Sequence, residues 1–150
     1  MRDKNSFIQT FRRIQKGFPR FYAHLLSRLD LTLPQYALLN LLDESGEMLM
    51  SEASRKLWVS KPAVTHLVDH LEKKRCLKRC PDARDRRVFI LRMTPLGKKH
   101  VQKIEAKIFS FLFIALKGFS SAEQGIVQRF YGALGGELEK EVGRLERSTS

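Results

Sequence analysis

The 150-residue chain lacks most of the features by which a sequence declares an enzyme, a secreted scaffold or a membrane protein. It has no glycine-rich phosphate loop, no His-Glu-x-x-His pair and no Gly-x-Ser-x-Gly elbow. Its four histidines are scattered and no paired-carboxylate setting is present, so no catalytic activity and no cofactor are expected. Two cysteines, Cys76 and Cys80, do not make a disulfide framework. The longest apolar patch, Phe109 to Leu116, is eight residues and contains Ser110, whereas a bilayer span needs about 20. No apolar run follows Met1-Arg2-Asp3-Lys4-Asn5, and a cytoplasmic location is the expectation.

Acidic residues are also scarce. Sixteen Asp and Glu face twenty-eight Lys and Arg, for a net charge of +12. The excess is concentrated: Arg55 to Lys103 holds fifteen basic and four acidic residues, a net +11, leaving +1 for the rest. A cationic stretch of this kind suits a polyanion, and nucleic acid is the first candidate. The first helix also carries Arg12, Arg13, Lys16 and Arg20 beside phenylalanines. Burial of that apolar face in a dimer accounts for it more economically than a membrane surface.

Periodicity supplies the architecture. Phe7, Ile8, Phe11, Ile14, Phe18, Tyr22 and Leu25 recur at helical spacing over Ser6–Leu29, with Pro19 a candidate kink. Thr32 reads as an N-cap with Pro34 in the first turn, and Tyr36, Leu38, Leu39 and Leu42 as the buried face of a second helix ending near Gly46. Ser51 reads as the N-cap of a short helix to Leu57, and Trp58-Val59 as a turn. Ser60 then caps a fourth helix to Lys74, striped by Val64, Leu67, Val68 and Leu71. Two short helices around a tight turn make a helix-turn-helix pattern. The period then changes to two. Leu77–Cys80 and Val88–Met93 read as strands around the charged tip Pro81–Arg87, a β-hairpin wing. Thr94-Pro95 opens a helix along Val101, Ile104, Ile108, Leu112 and Ala115. Ser120 or Ser121, with Glu123 or Gln124, opens the last one, striped by Ile126, Phe130, Leu134, Leu138, Val142 and Leu145. The expected fold is mainly α with a small β-hairpin wing: one domain over 1–150, with a winged helix-turn-helix lobe at 32–95.

Several segments resemble one family. Leu31-Thr32-Leu33-Pro34-Gln35-Tyr36 is similar to the LTxxQ(F/Y) opening of the MarR (multiple antibiotic resistance regulator) family. Val59-Ser60-Lys61-Pro62-Ala63-Val64-Thr65 and Leu71-Glu72-Lys73-Lys74 resemble its recognition helix. Asp82-Ala83-Arg84-Asp85-Arg86-Arg87, with Leu91-Arg92-Met93-Thr94-Pro95-Leu96-Gly97, resembles its wing signature. The resemblance implies a homodimeric winged helix-turn-helix repressor of a pseudo-palindromic operator, released by a small-molecule effector, with 6–29 and 96–146 as dimerisation helices. It also implies that Arg87 ties the wing to Asp69 of the recognition helix. In the family, effectors often sit between the dimer helices and the DNA lobe, where Phe18, Tyr22, His24, Arg28 and Tyr36 are candidates. One departure is Arg75, which stands where the family usually has glycine at the end of the recognition helix.

For double-stranded DNA the expected readers are Ser60, Lys61, Pro62, Thr65 and His66 in the major groove. Arg84 and Arg86 at the wing tip are expected in the minor groove, where an arginine finds the strongest negative potential. Ser51, Lys56, Lys73, Lys78, Arg79 and Arg92 are phosphate contacts or solvated cations. The alternative is a thiol- or metal-responsive regulator. Cys76 and Cys80 lie among Lys74, Arg75, Lys78 and Arg79, which favour a thiolate, and His66 and His70 precede them at ligand spacing.

Overall fold

A computed structural model describes residues 3–85 and 87–148. In chain order the elements are α1 (Lys4–Ser27), α2 (Leu33–Ser45), β1 (Met48–Leu49), α3 (Met50–Lys56), α4 (Lys61–Lys73), β2 (Leu77–Pro81), β3 (Phe89–Met93), α5 (Pro95–Leu116) and α6 (Ser121–Ser148). They fall into two compact units, 1–106 and 107–150, with the boundary inside α5. No described helix is long and apolar enough to cross a membrane.

The first unit is a winged helix. Its core is the apolar stripes read along the helices: Leu38, Leu39 and Leu42 of α2, Val64, Val68 and Leu71 of α4, and Val101 and Ile104 of α5, all nearly inaccessible. Leu77 and Leu91 close it from the wing. The sheet has the order β1-β3-β2 and is antiparallel throughout, with Leu77 opposite Met93, Arg79 opposite Leu91 and Met48 opposite Leu91 on the other side. β1 escapes a reading of the sequence because two residues show no period. It also moves the start of α3. The chain stays extended through Leu49, and the Glu52 carboxylate accepts from the Leu49 amide at 2.9 Å, so Ser51 lies inside the helix and is not its cap.

The other caps follow the side chains. Thr32 and Gln35 form a reciprocal capping box on α2, and the Ser60 hydroxyl accepts from the Ala63 amide at 3.3 Å. Pro19 lies inside α1, which runs on through it. The C-terminal ends of α1, α3 and α4 share one device. Leu31, Val59 and Cys76 each donate to the carbonyl five residues back, and Asp30, Trp58 and Arg75 to the carbonyl three back. This is the Schellman pattern, which needs a left-handed residue. Asp30, Trp58 and Arg75 have φ of +51°, +55° and +58°. None is glycine, so each costs about 1–2 kcal/mol of backbone strain.

The end of α4 is also clamped to the start of α5. Thr94 donates its amide to the Cys76 carbonyl (3.0 Å) and its hydroxyl to the Arg75 carbonyl (2.7 Å), while its oxygen accepts from the Gly97 amide (3.1 Å). Gly97 is packed so closely that a Cβ there would stand 2.1 Å from the Cys76 carbonyl oxygen.

The second unit comprises the rest of α5 and α6. Ser120 and Glu123 form the capping box of α6, with the Glu123 carboxylate accepting from the Ser120 amide at 2.8 Å. None of α6's described residues is buried: Ile126, Leu134, Leu138 and Val142 of its stripe are 42–63% exposed.

Two substitutions at the α4–α5 junction move stability in opposite directions. Gly97→Ala forces backbone apart and is expected to cost about 3 kcal/mol. Arg75→Gly relieves the left-handed strain and is expected to gain about 1 kcal/mol. Urea unfolding at fixed protein concentration measures both.

Candidate nucleic-acid interface

Burial on one side of α4 dictates what its other side offers. With Val64, Val68 and Leu71 turned to the core, Lys61, Pro62, His66, His70 and Lys73 face solvent and Thr65 is half-buried. The Thr65 hydroxyl donates to the Lys61 carbonyl at 3.1 Å, which fixes its rotamer and leaves its oxygen lone pairs outward. His70 Nδ1 lies 2.8 Å from the His66 carbonyl, so that nitrogen is occupied by the helix itself.

The N-terminal end of α4 borders a cleft of about 320 Å³ lined by Leu49, Met50, Ser51, Lys61, Thr65, Arg87, Val88 and Phe89. Ser51, Lys61, Thr65 and Arg87, far apart in sequence, therefore share one concavity. Lys56 is turned away, its ammonium donating to the Ser45 hydroxyl at 3.2 Å. Lys73 is exposed on the far end of α4.

The wing tip is shaped by its acids. Asp82 accepts from the amides of Arg84 (2.7 Å) and Asp85 (3.1 Å), and Asp85 accepts from the amide of Arg87 (3.0 Å). The two bonds to Asp82 form a tight turn over Asp82–Asp85, with the Arg84 side chain exposed. Arg86 lies outside the described residues.

The wing is tied to the recognition helix by Arg79. Its guanidinium pairs with Asp69, its Nε lies 3.2 Å from Glu72, and its amide donates to Glu72 at 2.7 Å. Arg87 was the expected partner of Asp69. It is instead 95% exposed, 3.8 Å from Asp85. The strand register explains the exchange. Arg79 shares a sheet face with buried Leu77 and Leu91, the face that packs on the helices, whereas Arg87 lies in the tip beyond the paired residues. Arg79 is thus held internally at 23% exposure, and the reading of it as a phosphate contact or solvated cation is corrected too. The signal was present in the sequence. An arginine two residues after a buried strand leucine must face inward, and Asp69 and Glu72 lie three apart on one helix face. Arg92 of β3 is paired with Glu47 at 2.9 Å, while Lys78 opposite it is exposed.

Cys76 is buried at the wing base, 3.7 Å from His100 Nδ1. Burial pushes its thiol above the ordinary range, with Lys74 opposing in part, and burial also pulls His100 down, helped by Lys103 and Lys99. Cys80 is half-buried on the opposite sheet face, paired with Ile90. Among the described residues no three His, Cys, Asp or Glu side chains group as a metal would need, and His66, His70, Cys76 and Cys80 are not brought together.

A model of the MarR family matches residues 29–88. The transcriptional regulator AdcR of Streptococcus pneumoniae is 30% identical over 92% of this chain and 97% of its own length. The chain belongs to the MarR family. YsmB of Bacillus subtilis, an uncharacterized HTH-type transcriptional regulator, is 28% identical over 77% of this chain and 80% of its own. Among solved structures, a MarR family protein from Bacillus stearothermophilus superposes with a TM-score of 0.80 at 25% identity, covering 92% of this chain and 96% of that one. A mutant of S. aureus MepR, solved bound to an oligodeoxyribonucleotide, gives 0.70 at 22% identity over 88% and 97%. This MarR-family chain is a DNA-binding transcription regulator with the winged helix fold. Its Arg75 adopts the left-handed conformation for which the family's usual glycine is suited.

The exchange of roles between the two arginines is measurable. Arg79→Ala leaves Asp69 and Glu72 facing each other without a cation. It is expected to cost about 1–2 kcal/mol and to speed amide hydrogen exchange in β2 and β3. Arg87→Ala, at a fully solvated site, is expected to stay within about 0.5 kcal/mol of the parent. Equal effects of the two substitutions would contradict the assignment.

Proposed function

We propose that this regulator acts in the cytoplasm as a homodimeric repressor, reading a pseudo-palindromic operator and released by a small-molecule effector. The observation that carries the reading is the cleft at the N-terminal end of α4, where Ser51, Lys61, Thr65 and Arg87 meet. In this reading Ser60, Lys61, Pro62, Thr65 and His66 enter the major groove, where base edges present distinct donor and acceptor patterns. Arg84 and Arg86 follow the minor groove from the wing tip. Arg87, solvated and beside the cleft, joins Ser51, Lys73 and Lys78 on phosphates.

Dimerisation is supported by the stripe Ile126, Leu134, Leu138 and Val142 on α6 and by Phe11 and Ile14 on α1, all at least 42% exposed in the single chain. Apolar area of this extent ordinarily marks an interface. Two lobes brought together by such helices demand two half-sites about one helical turn apart.

For an effector, α1 and α2 offer the Tyr22–Tyr36 contact, with ring centroids 6.0 Å apart. Burial pushes the Tyr36 phenol up to about 12, with Tyr22, Glu105, Glu44 and Asp43 adding to the shift, so it is a neutral hydroxyl at any physiological pH. His24 and Arg28 are exposed. The thiol alternative gains nothing from Cys76, whose buried sulfur stays protonated near neutrality.

Selection of bound duplexes from a random pool, with light scattering of the free protein, tests the proposal. The expected outcome is an inverted repeat with half-sites about 10 base pairs apart and a particle of twice the 17.4 kDa chain mass. A single non-repeated site bound by a monomer would refute the dimeric reading.

A further inference from the structure

The turn between α3 and α4 needs a left-handed residue to end α3, and neither that need nor the core explains why the residue is a tryptophan. Trp58 has φ +55°, in the left-handed region where glycine is favoured and a large side chain is strained. Its side chain is not compensated by burial, being 59% exposed. The backbone of the turn is held firmly: the Val59 amide donates to the Ser54 carbonyl at 3.2 Å, and the Ser54 hydroxyl donates to the Val59 carbonyl at 2.7 Å. A strained, exposed tryptophan on a hydrogen-bonded turn has the character of an interface anchor, since the backbone beneath it loses little conformational entropy when it docks.

The surroundings identify the partner. Arg55 and Lys61 flank Trp58 and are exposed, with no acid from Arg55 to Lys61. Trp58 stands two residues before Ser60, the N-cap of α4. A duplex strand alternates phosphates with apolar deoxyribose faces. Cations on both sides of an indole fit that alternation, the ring against a sugar and the charges on the flanking phosphates. An acidic protein would meet the same charges, but it would have to occupy the mouth of α4, where the regulator holds DNA.

We propose that Trp58 is a DNA-contact residue, packing on the sugar-phosphate backbone beside the recognition helix. This rests on the reading of α4 as the groove-entering helix. The turn then carries its backbone strain because the ring at its apex contributes to binding.

Trp58 is the sole tryptophan of the 150-residue chain, so its fluorescence reports on that one indole. Titration with a duplex carrying the selected repeat, or with a mixed-sequence duplex at low salt, is expected to shift or quench its fluorescence in step with binding. Trp58→Gly is expected to raise the melting temperature while weakening DNA affinity by about fivefold or more, and Trp58→Phe to keep most of the affinity. Rising stability with falling affinity is a combination that a purely structural tryptophan would not give. DNA binding by the parent with no fluorescence change, and equal affinity of Trp58→Gly, would overturn the assignment and leave the indole for a protein partner. Failure of the parent to bind either duplex would instead overturn the reading of α4.

Discussion

The chain reverses direction at Arg75, and the orientation of everything that meets DNA is set within a few residues of that reversal. The left-handed Arg75 ends α4, its carbonyl and that of Cys76 are both bonded by Thr94, and Gly97 lets α5 approach to the distance those bonds require. Recognition helix, wing and α5 thus share one short junction with little freedom. Arg79 fixes the wing a second time, farther out, by bonding Asp69 and Glu72 across the α4–β2 contact. A hairpin of two five-residue strands is marginal by itself, and these ties are what make it a defined surface.

The same bonds explain how the basic segment shows its charge. Arg55 to Lys103 has only four acids. Asp69 and Glu72 are engaged by Arg79, and Asp82 and Asp85 by backbone amides of the wing tip. All four serve the shape of the lobe, leaving Lys61, Lys73, Lys78, Arg84 and Arg87 solvated and turned outward. Two acids from outside the segment also pair with its cations, Asp30 with Lys74 and Glu47 with Arg92. The positive surface is a consequence of where the carboxylates are engaged as much as of how many lysines there are.

Most of the helical frame was legible because caps and stripes are local. Thr32, Ser60 and the apolar positions of α2, α4 and α5 each report on neighbours three or four residues away. The wing was legible from its change of period. What escaped depends on distant partners. β1 is a strand only because β3 lies beside it, and it displaces Ser51 from the cap. Arg79 reads as an outward cation because its one inward signal, the place two residues after Leu77, is faint in a strand this short and rich in Lys, Arg and Cys. Arg87 was given Asp69 by resemblance, and the register denies it. The strain at Trp58 leaves no trace in the sequence, since a turn residue of any kind reads alike there.

The central claim is that the N-terminal end of α4 lies in the major groove while the wing follows the minor groove. Site-specific photocrosslinking tests it most directly, with a crosslinking side chain placed in turn at Thr65, at Arg84 and at Glu139 on α6, and each adduct mapped on the bound duplex. The account predicts adducts from position 65 to major-groove base edges, adducts from position 84 to the flanking minor groove, and none from position 139. Adducts from position 139 with none from 65 would contradict it.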